Sequence, residues 1–111
     1  MKNILILNGS TRRGGRTDEM TAAFTKGAKL SGHEVTEIYT NDLDFGGELL
    51  SVDMGFGEPH YELDQVLTME GPVGNYYRAV NAADVLVLAS PVYWWNITGN
   101  LKNAIDYLQP L

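Results

Sequence analysis

The sequence has no cysteine among its 111 residues. That absence excludes disulfide staples, thiolate nucleophiles, iron–sulfur ligation and cysteine-based zinc sites, and it points to a reducing compartment. Basic charge is scarce: 8 Lys and Arg stand against 14 Asp and Glu, a formal net charge of -6. Duplex nucleic acid and anionic membrane surfaces, which both reward a track of cations, are poor partners for such a chain. Long hydrophobic runs are missing as well. Met1-Lys2-Asn3 leads into the short apolar run Ile4 to Leu7, too brief for the hydrophobic region of a signal peptide, and nothing downstream approaches a membrane-spanning length. The expectation is a cytoplasmic protein.

What is present fits a globular chain. Hydrophobic residues make up 44% and charged residues 20%, and the length suits a single domain over residues 1–111. Ile4 to Leu7 is apolar without alternation and stops at Asn8-Gly9, which predicts a strand buried on both faces, as in parallel sheets. After the loop from Gly9 to Arg16, Met20, Ala23, Phe24 and Gly27 recur at helical spacing up to Leu30, and Ser31-Gly32 supplies the stop. Glu34 to Tyr39 is rich in β-branched and aromatic residues and predicts a second strand. From Phe45 to Gly74 the pattern dissolves among glycines and prolines, with Leu63, Val66 and Leu67 able to form a turn or two of helix. Tyr76 to Ala83 has helical spacing, Val85 to Ala89 predicts a third strand apolar on both faces, and Leu101, Ala104, Ile105 and Leu108 predict a last helix before Pro110. The order β, α, β, partly helical insertion, β, α is half of a doubly wound α/β sheet.

Ligands of open α/β sheets bind beyond the carboxyl ends of the strands, so the segments after the first and third strands deserve inspection. The first, Asn8 to Thr17, holds three hydroxyl side chains, three arginines and three glycines. Glycines let the backbone approach closely, and guanidinium forks and hydroxyls add to the free N–H groups of a helix start, a donor set suited to phosphate. It is not the triphosphate loop, for it has no lysine, and Thr11 stands where the dinucleotide fingerprint requires its second glycine. The plainer reading is a solvated turn with Thr17 as a helix N-cap. The second segment, Ser90 to Gly99, carries Tyr93, Trp94 and Trp95 together. Large planar groups at the mouth of a sheet suit a flat aromatic ligand. For Trp95 alone, packing in the core or at a subunit contact is the preferred expectation. No metal site is expected: His33 and His60 are distant in sequence and lack carboxylates at ligand spacing. Ser90 has no local histidine to activate it, Lys102 and Asp106 have the spacing of a helix-surface pair, and Asp18-Glu19 complement the dipole of the first helix.

Asn-Gly-Ser-x-Arg with Thr17 after the first strand, followed by Ser-Pro-Val-Tyr and Gly-x-Leu-Lys-x-x-Ile-Asp after the third, resembles the NAD(P)H-dependent FMN reductases of the flavodoxin-like superfamily, relatives of the iron–sulfur flavoproteins included. The likeness spans residues 1–44 and 76–108. It implies a flavodoxin-like doubly wound parallel sheet, with Ser10, Arg12 and Thr17 at the FMN phosphate and Arg16 facing the same anion. It implies further that Pro91, Val92, Tyr93 and Trp94 run along the flavin ring, with Asn96 as an additional contact. Iron–sulfur relatives carry clustered cysteines after the second strand, where this chain has Gly46, Gly47 and Glu48, so a cluster is excluded. The family continues for two further strands and their helices, so the sheet in this chain reads as incomplete, with about three strands visible; a shortened chain, a natural fragment and strand exchange between subunits all remain open.

The function that follows from the resemblance is an FMN-dependent oxidoreductase. NAD(P)H delivers hydride to the flavin, and a quinone, a nitro or azo compound, or another flavin accepts the electrons. No side chain need act as acid or base, because the cofactor carries the chemistry. The resemblance also implies a homodimer, with Trp95 and the insertion as candidate contacts. Two alternatives stand beside this reading: a flavodoxin-like electron carrier with no nicotinamide step, and an incomplete domain that binds no flavin.

Overall fold

A computed structural model describes residues 1–46, 63–108 and 111. Strand β1 (Asn3–Asn8) lies at the centre of a three-stranded sheet ordered β2-β1-β3, with β2 over Glu34–Tyr39 and β3 over Val85–Ala89. Both neighbours run parallel to β1, and Leu5 stands opposite Thr36 on one side and Leu86 on the other. Parallel strands need crossovers, and here they are α1 (Arg16–Leu30) before β2 and, before β3, a stretch containing α2 (Leu63–Leu67) and α3 (Gly71–Ala82); α4 (Gly99–Asp106) follows β3. This α/β arrangement is flavodoxin-like, because the order 2-1-3 opens that fold's sheet.

The apolar run of β1 is buried from Ile4 to Leu7, as a central parallel strand requires. Its Leu5 and Leu7 meet Tyr76 of α3 and Leu101 and Ala104 of α4 in the main core. Two buried tyrosines find acceptors for their hydroxyls: Tyr76 donates to the Ala104 carbonyl at 2.6 Å and Tyr77 to the Tyr107 carbonyl at 2.7 Å. These bonds fasten α3 to α4 and satisfy polar atoms that burial would otherwise penalise. Phe45 stacks on Tyr107 with ring centroids 4.2 Å apart.

Three expectations need correction. The third strand, read as apolar on both faces, pairs only with β1 among the described residues, and Leu86 and Leu88 are exposed there, the latter by 49%. The apolar stripe of α1 is likewise uncovered: Met20 is 72% exposed, and with Phe24 and Val87 it lines an open groove beside β3. The third helix begins at Gly71, earlier than expected, because Pro72 sits in its first turn, where a missing N–H costs nothing. Of the 45–74 insertion, residues 47–62 lie outside the described residues, as do His60 and Pro110; Leu63–Leu67 forms the short helix α2. Among the described residues no helix is long and apolar enough to cross a membrane, and no cluster of His, Cys, Asp and Glu could hold a metal ion.

Candidate functional site

The carboxyl end of β1 is organised by one buried side chain. Asn8 accepts the Ser10 N–H at 2.9 Å and donates through Nδ2 to Asp18 and to Glu37, each at 3.0 Å, so it ties the loop after β1 to α1 and β2 together. Gly9 has no room for a side chain: a Cβ there would lie 2.5 Å from Thr98 Oγ1 and 2.8 Å from Leu101 Cβ, which is why α4 can seat its first turn on the end of β1. Asn100 completes that junction, donating to the Gly9 carbonyl at 3.2 Å and pairing with the Thr40 hydroxyl.

The loop then folds on itself. Ser10 Oγ donates to the Arg12 carbonyl at 2.8 Å and accepts the Arg12 N–H at 3.2 Å. Gly14 takes a φ of 76°, left-handed geometry that glycine adopts without a Cβ penalty, and its N–H donates to Asp18 at 2.6 Å. That bond is the main reason the Asp18 carboxyl lies below its ordinary pKa; burial opposes the shift, and Asn8, Tyr39 and Arg13 add to it. Helix α1 is capped by Gly15 with no side-chain cap bond, so Thr17 is not the N-cap; it sits in the first helical turn. The first N–H closed by the helix is that of Glu19, on the Gly15 carbonyl at 3.0 Å, so those of Arg16, Thr17 and Asp18 have no intrahelical acceptor.

The three arginines of the loop differ. Arg13 is engaged: its guanidinium lies 3.3 Å over the Tyr39 ring centre and pairs with Asp42 at 2.7 Å. Tyr39 is held above its ordinary phenol pKa, first by burial and then by the nearby Glu37 and Asp18 charges. Arg12 and Arg16 are exposed and have no ion-pair partner among the described residues. The Arg12 guanidinium lies against Gly15, where a Cβ would sit 3.0 Å from its Nη2, so a free cation rests on the start of α1.

The loop after β3 is tied at its base by Ser90, whose Oγ donates to the Pro91 carbonyl at 2.7 Å and accepts the Thr98 N–H at 3.0 Å. Tyr93 and Asn96 then exchange main-chain bonds of 2.9 and 3.1 Å across a two-residue turn. The turn residues are Trp94 at φ 50° and Trp95 at φ 68°, a left-handed pair that hairpin geometry normally fills with asparagine and glycine. Bulky residues held there are strained, and such strain collects at functional sites. Both tryptophans are 92% exposed, so of the two placements expected for Trp95, in the core or at a subunit contact, the core one does not hold. The Asn96 side chain turns back to accept the Ile97 N–H at 2.8 Å.

The two loops meet. Thr11 Oγ1 and the Tyr93 hydroxyl are 2.9 Å apart, joined across 82 positions of sequence. Around this contact lies a cleft of about 430 Å³, lined by Ser10, Thr11, Arg12, Gly15, Arg16 and Thr17 from one side and by Pro91 and Tyr93 from the other. Of the residues singled out from the sequence, Ser10, Arg12, Arg16, Thr17, Pro91 and Tyr93 are brought together in it, whereas Val92, Trp94 and Asn96 do not line it. Sequence reasoning missed Thr11, the buried Asn8 and the Asn100 clamp. Asn8 carried a signal, a polar residue closing an apolar strand; Thr11 entered only as one of three loop hydroxyls, and its pairing with Tyr93 carried no local signal because that partner is 82 positions away.

The chain is 30% identical over 110 residues to an iron–sulfur flavoprotein of Archaeoglobus fulgidus, covering 99% of this chain and 46% of that one. It is 27% identical over 113 residues to an FMN-dependent NADPH-azoreductase of Staphylococcus haemolyticus, covering 97% and 52%. Its fold is similar to that of an NAD(P)H:quinone oxidoreductase from Methanothermobacter marburgensis, with a TM-score of 0.68 at 23% identity over 96% of this chain and 52% of that one. The chain thus spans about half the length of the relatives it matches. The model of the NADPH-dependent FMN reductase family matches residues 2–110, so the chain belongs to that family.

Proposed function

We propose that this chain binds FMN in the cleft between its two loops and serves an NAD(P)H-dependent flavin oxidoreductase. The observation that carries the reading is the junction of a cationic, hydroxyl-bearing helix start with an aromatic loop in one cleft of about 430 Å³, within the ~300–1,000 Å³ usual for cofactor-sized ligands. A mononucleotide with a dianionic headgroup and a flat ring needs both halves at once.

The donor chemistry fits the group. Arg12 and Arg16 supply cations that no carboxylate neutralises among the described residues. Thr17 and the open N–H groups of the first turn of α1 supply directed donors for phosphate oxygens. The Ser10 hydroxyl is already engaged with Arg12, so it shapes the loop as well as bordering the phosphate position. Pro91 and Tyr93 form the side of the cleft along which the ring would lie; Val92, Trp94 and Asn96 belong to the same loop outside the cleft lining and would meet the ring only where it extends past Tyr93. When bound, FMN supplies the redox chemistry, accepting hydride from NAD(P)H and passing electrons on. The protein binds, orients and tunes it, and no side chain is assigned an acid or base role.

The azoreductase and quinone oxidoreductase relatives favour a conjugated small-molecule acceptor, a quinone or an azo or nitro compound, over a protein. The absence of cysteine favours a cytoplasmic setting. A homodimer is the assembly we propose, with the exposed Trp95 as a candidate contact. Residues 1–111 are read as belonging to one FMN-binding domain.

Titration with FMN, followed by quenching of flavin fluorescence, tests the reading; protein that leaves the flavin signal unchanged refutes it. Anaerobic mixing with NADPH then separates enzyme from carrier. Rapid bleaching of the bound flavin supports the oxidoreductase. Flavin that bleaches only with dithionite identifies an electron carrier, a role that an acidic protein of net charge -6 would also suit.

A further inference from the structure

We propose that the hydrogen bond between Thr11 and Tyr93 is a strut that couples the two halves of the cleft, so that an anion on the first loop and a flat ring against the second raise each other's affinity. The inference deepens the FMN-binding reading and rests on it.

The argument is one of anchorage. Within the first loop Ser10, Arg12, Arg13 and Gly14 are each fastened by bonds to one another or to the body of the fold: Ser10 to Asn8 and Arg12, Arg13 to Asp42, Gly14 to Asp18. Thr11 is fastened by its side chain only to Tyr93. The second loop is tied at its base through Ser90, and Tyr93 and Asn96 bond to each other. Beyond that base, the only hydrogen bond from residues 91–96 to another part of the fold, among the described residues, is Tyr93 to Thr11. The turn it steadies holds two tryptophans at positive φ, a conformation the local sequence does not favour. A loop strained and singly tethered has alternatives near in energy, so the tether decides which is populated.

Coupling then follows from linkage. An anion that orders the first loop fixes Thr11 and so favours the bonded position of Tyr93; a ring that requires that position of Tyr93 orders Thr11 in return, and the effect is equal in both directions. Tyr93 and Thr11 act here as positioning residues.

The chain has 2 tryptophans, both in this turn, so intrinsic indole emission reports the second loop alone. Inorganic phosphate is titrated against emission in the wild type, in Tyr93→Phe and in Thr11→Val, and riboflavin affinity is measured with and without saturating phosphate. In the wild type phosphate should shift the emission and tighten riboflavin roughly three- to ten-fold, the worth of one hydrogen bond. Both effects should vanish in either variant, and the double variant should be no worse than the single ones. Wild-type emission that ignores phosphate overturns the strut, and so does a phosphate effect of equal size in all proteins. The phosphate and emission arm needs no flavin, so failure to bind FMN counts against the proposed function and leaves the strut to be decided by that arm.

Discussion

One carboxylate of α1 holds two ends of the loop after β1: Asp18 accepts the Gly14 N–H at 2.6 Å and the Asn8 amide at 3.0 Å. The two bonds fall on different oxygens, so both are made in full only by the ionised form, and the carboxyl lies below its ordinary pKa, chiefly through the Gly14 bond. A depressed folded-state value means that the contribution is full above the unfolded value of about 3.9. It is lost as pH falls through the folded value. Melting temperatures of the wild type and Asp18→Asn, taken from neutral pH down to about pH 3, should converge as acid removes what the substitution has already removed. Parallel curves would show that Asp18 does not carry this term.

Arg12 lies over the start of α1 without a carboxylate partner among the described residues. If its cation meets the phosphate, Arg12→Ala should weaken FMN on the order of ten-fold or more, the scale of a charge-assisted hydrogen bond, and leave riboflavin nearly unchanged. Equal losses for the two ligands, measured by flavin fluorescence, would remove Arg12 from the phosphate position.

The tryptophan turn should show stability opposed to function. Replacing Trp94 by Asn and Trp95 by Gly supplies the residues that a left-handed two-residue turn prefers and should raise stability by about 1–2 kcal/mol in denaturant unfolding. The same variant should bind flavin more weakly, because the turn it alters holds Tyr93, which lines the cleft. A lower stability would mean that the indoles contribute packing that their 92% exposure does not reveal.

Two helical glycines should respond in opposite senses to alanine. At Gly27 in α1 a Cβ meets nothing within 4 Å, so Gly27→Ala should stabilise by about 0.5–1 kcal/mol through helix propensity. At Gly74 in α3 a Cβ would fall 1.8 Å from the Met69 carbonyl oxygen, so Gly74→Ala must displace the α2–α3 connection and should cost about 1–3 kcal/mol. Thermal melts of the two variants decide both.

How much of this was legible in the sequence follows from the range of the interactions. The strands and the helices flanking them were readable because Ile4 to Leu7 and Val85 to Ala89 are short uninterrupted apolar runs and the apolar residues of α4 recur at helical spacing. The arginines and hydroxyls of the first loop were readable because their chemistry is local. Sequence could not show that Arg13 is drawn aside by Tyr39 and Asp42, or that Thr11 reaches Tyr93, because each depends on how β1, β2 and β3 are laid side by side; that Ser10 spends its hydroxyl on Arg12 is a local bond, but it depends on a loop conformation that no periodicity encodes. Exposure failed for the same reason. An apolar strand looks buried in sequence, yet β3 has a strand neighbour on one side only among the described residues, and of the core and subunit-contact placements expected for Trp95 the backbone turn removes the core one.

The position of β3 has one more consequence. Among the described residues the aromatic loop hangs from a strand hydrogen-bonded on one side only, so in this 111-residue chain the amides of β3 should trade deuterium for hydrogen sooner than those of β1, which is flanked on both sides. A ligand gripping Tyr93 would then act on the margin of the sheet from above, slowing that exchange along Val85 to Ala89 and making cofactor capture a source of rigidity for the scaffold itself.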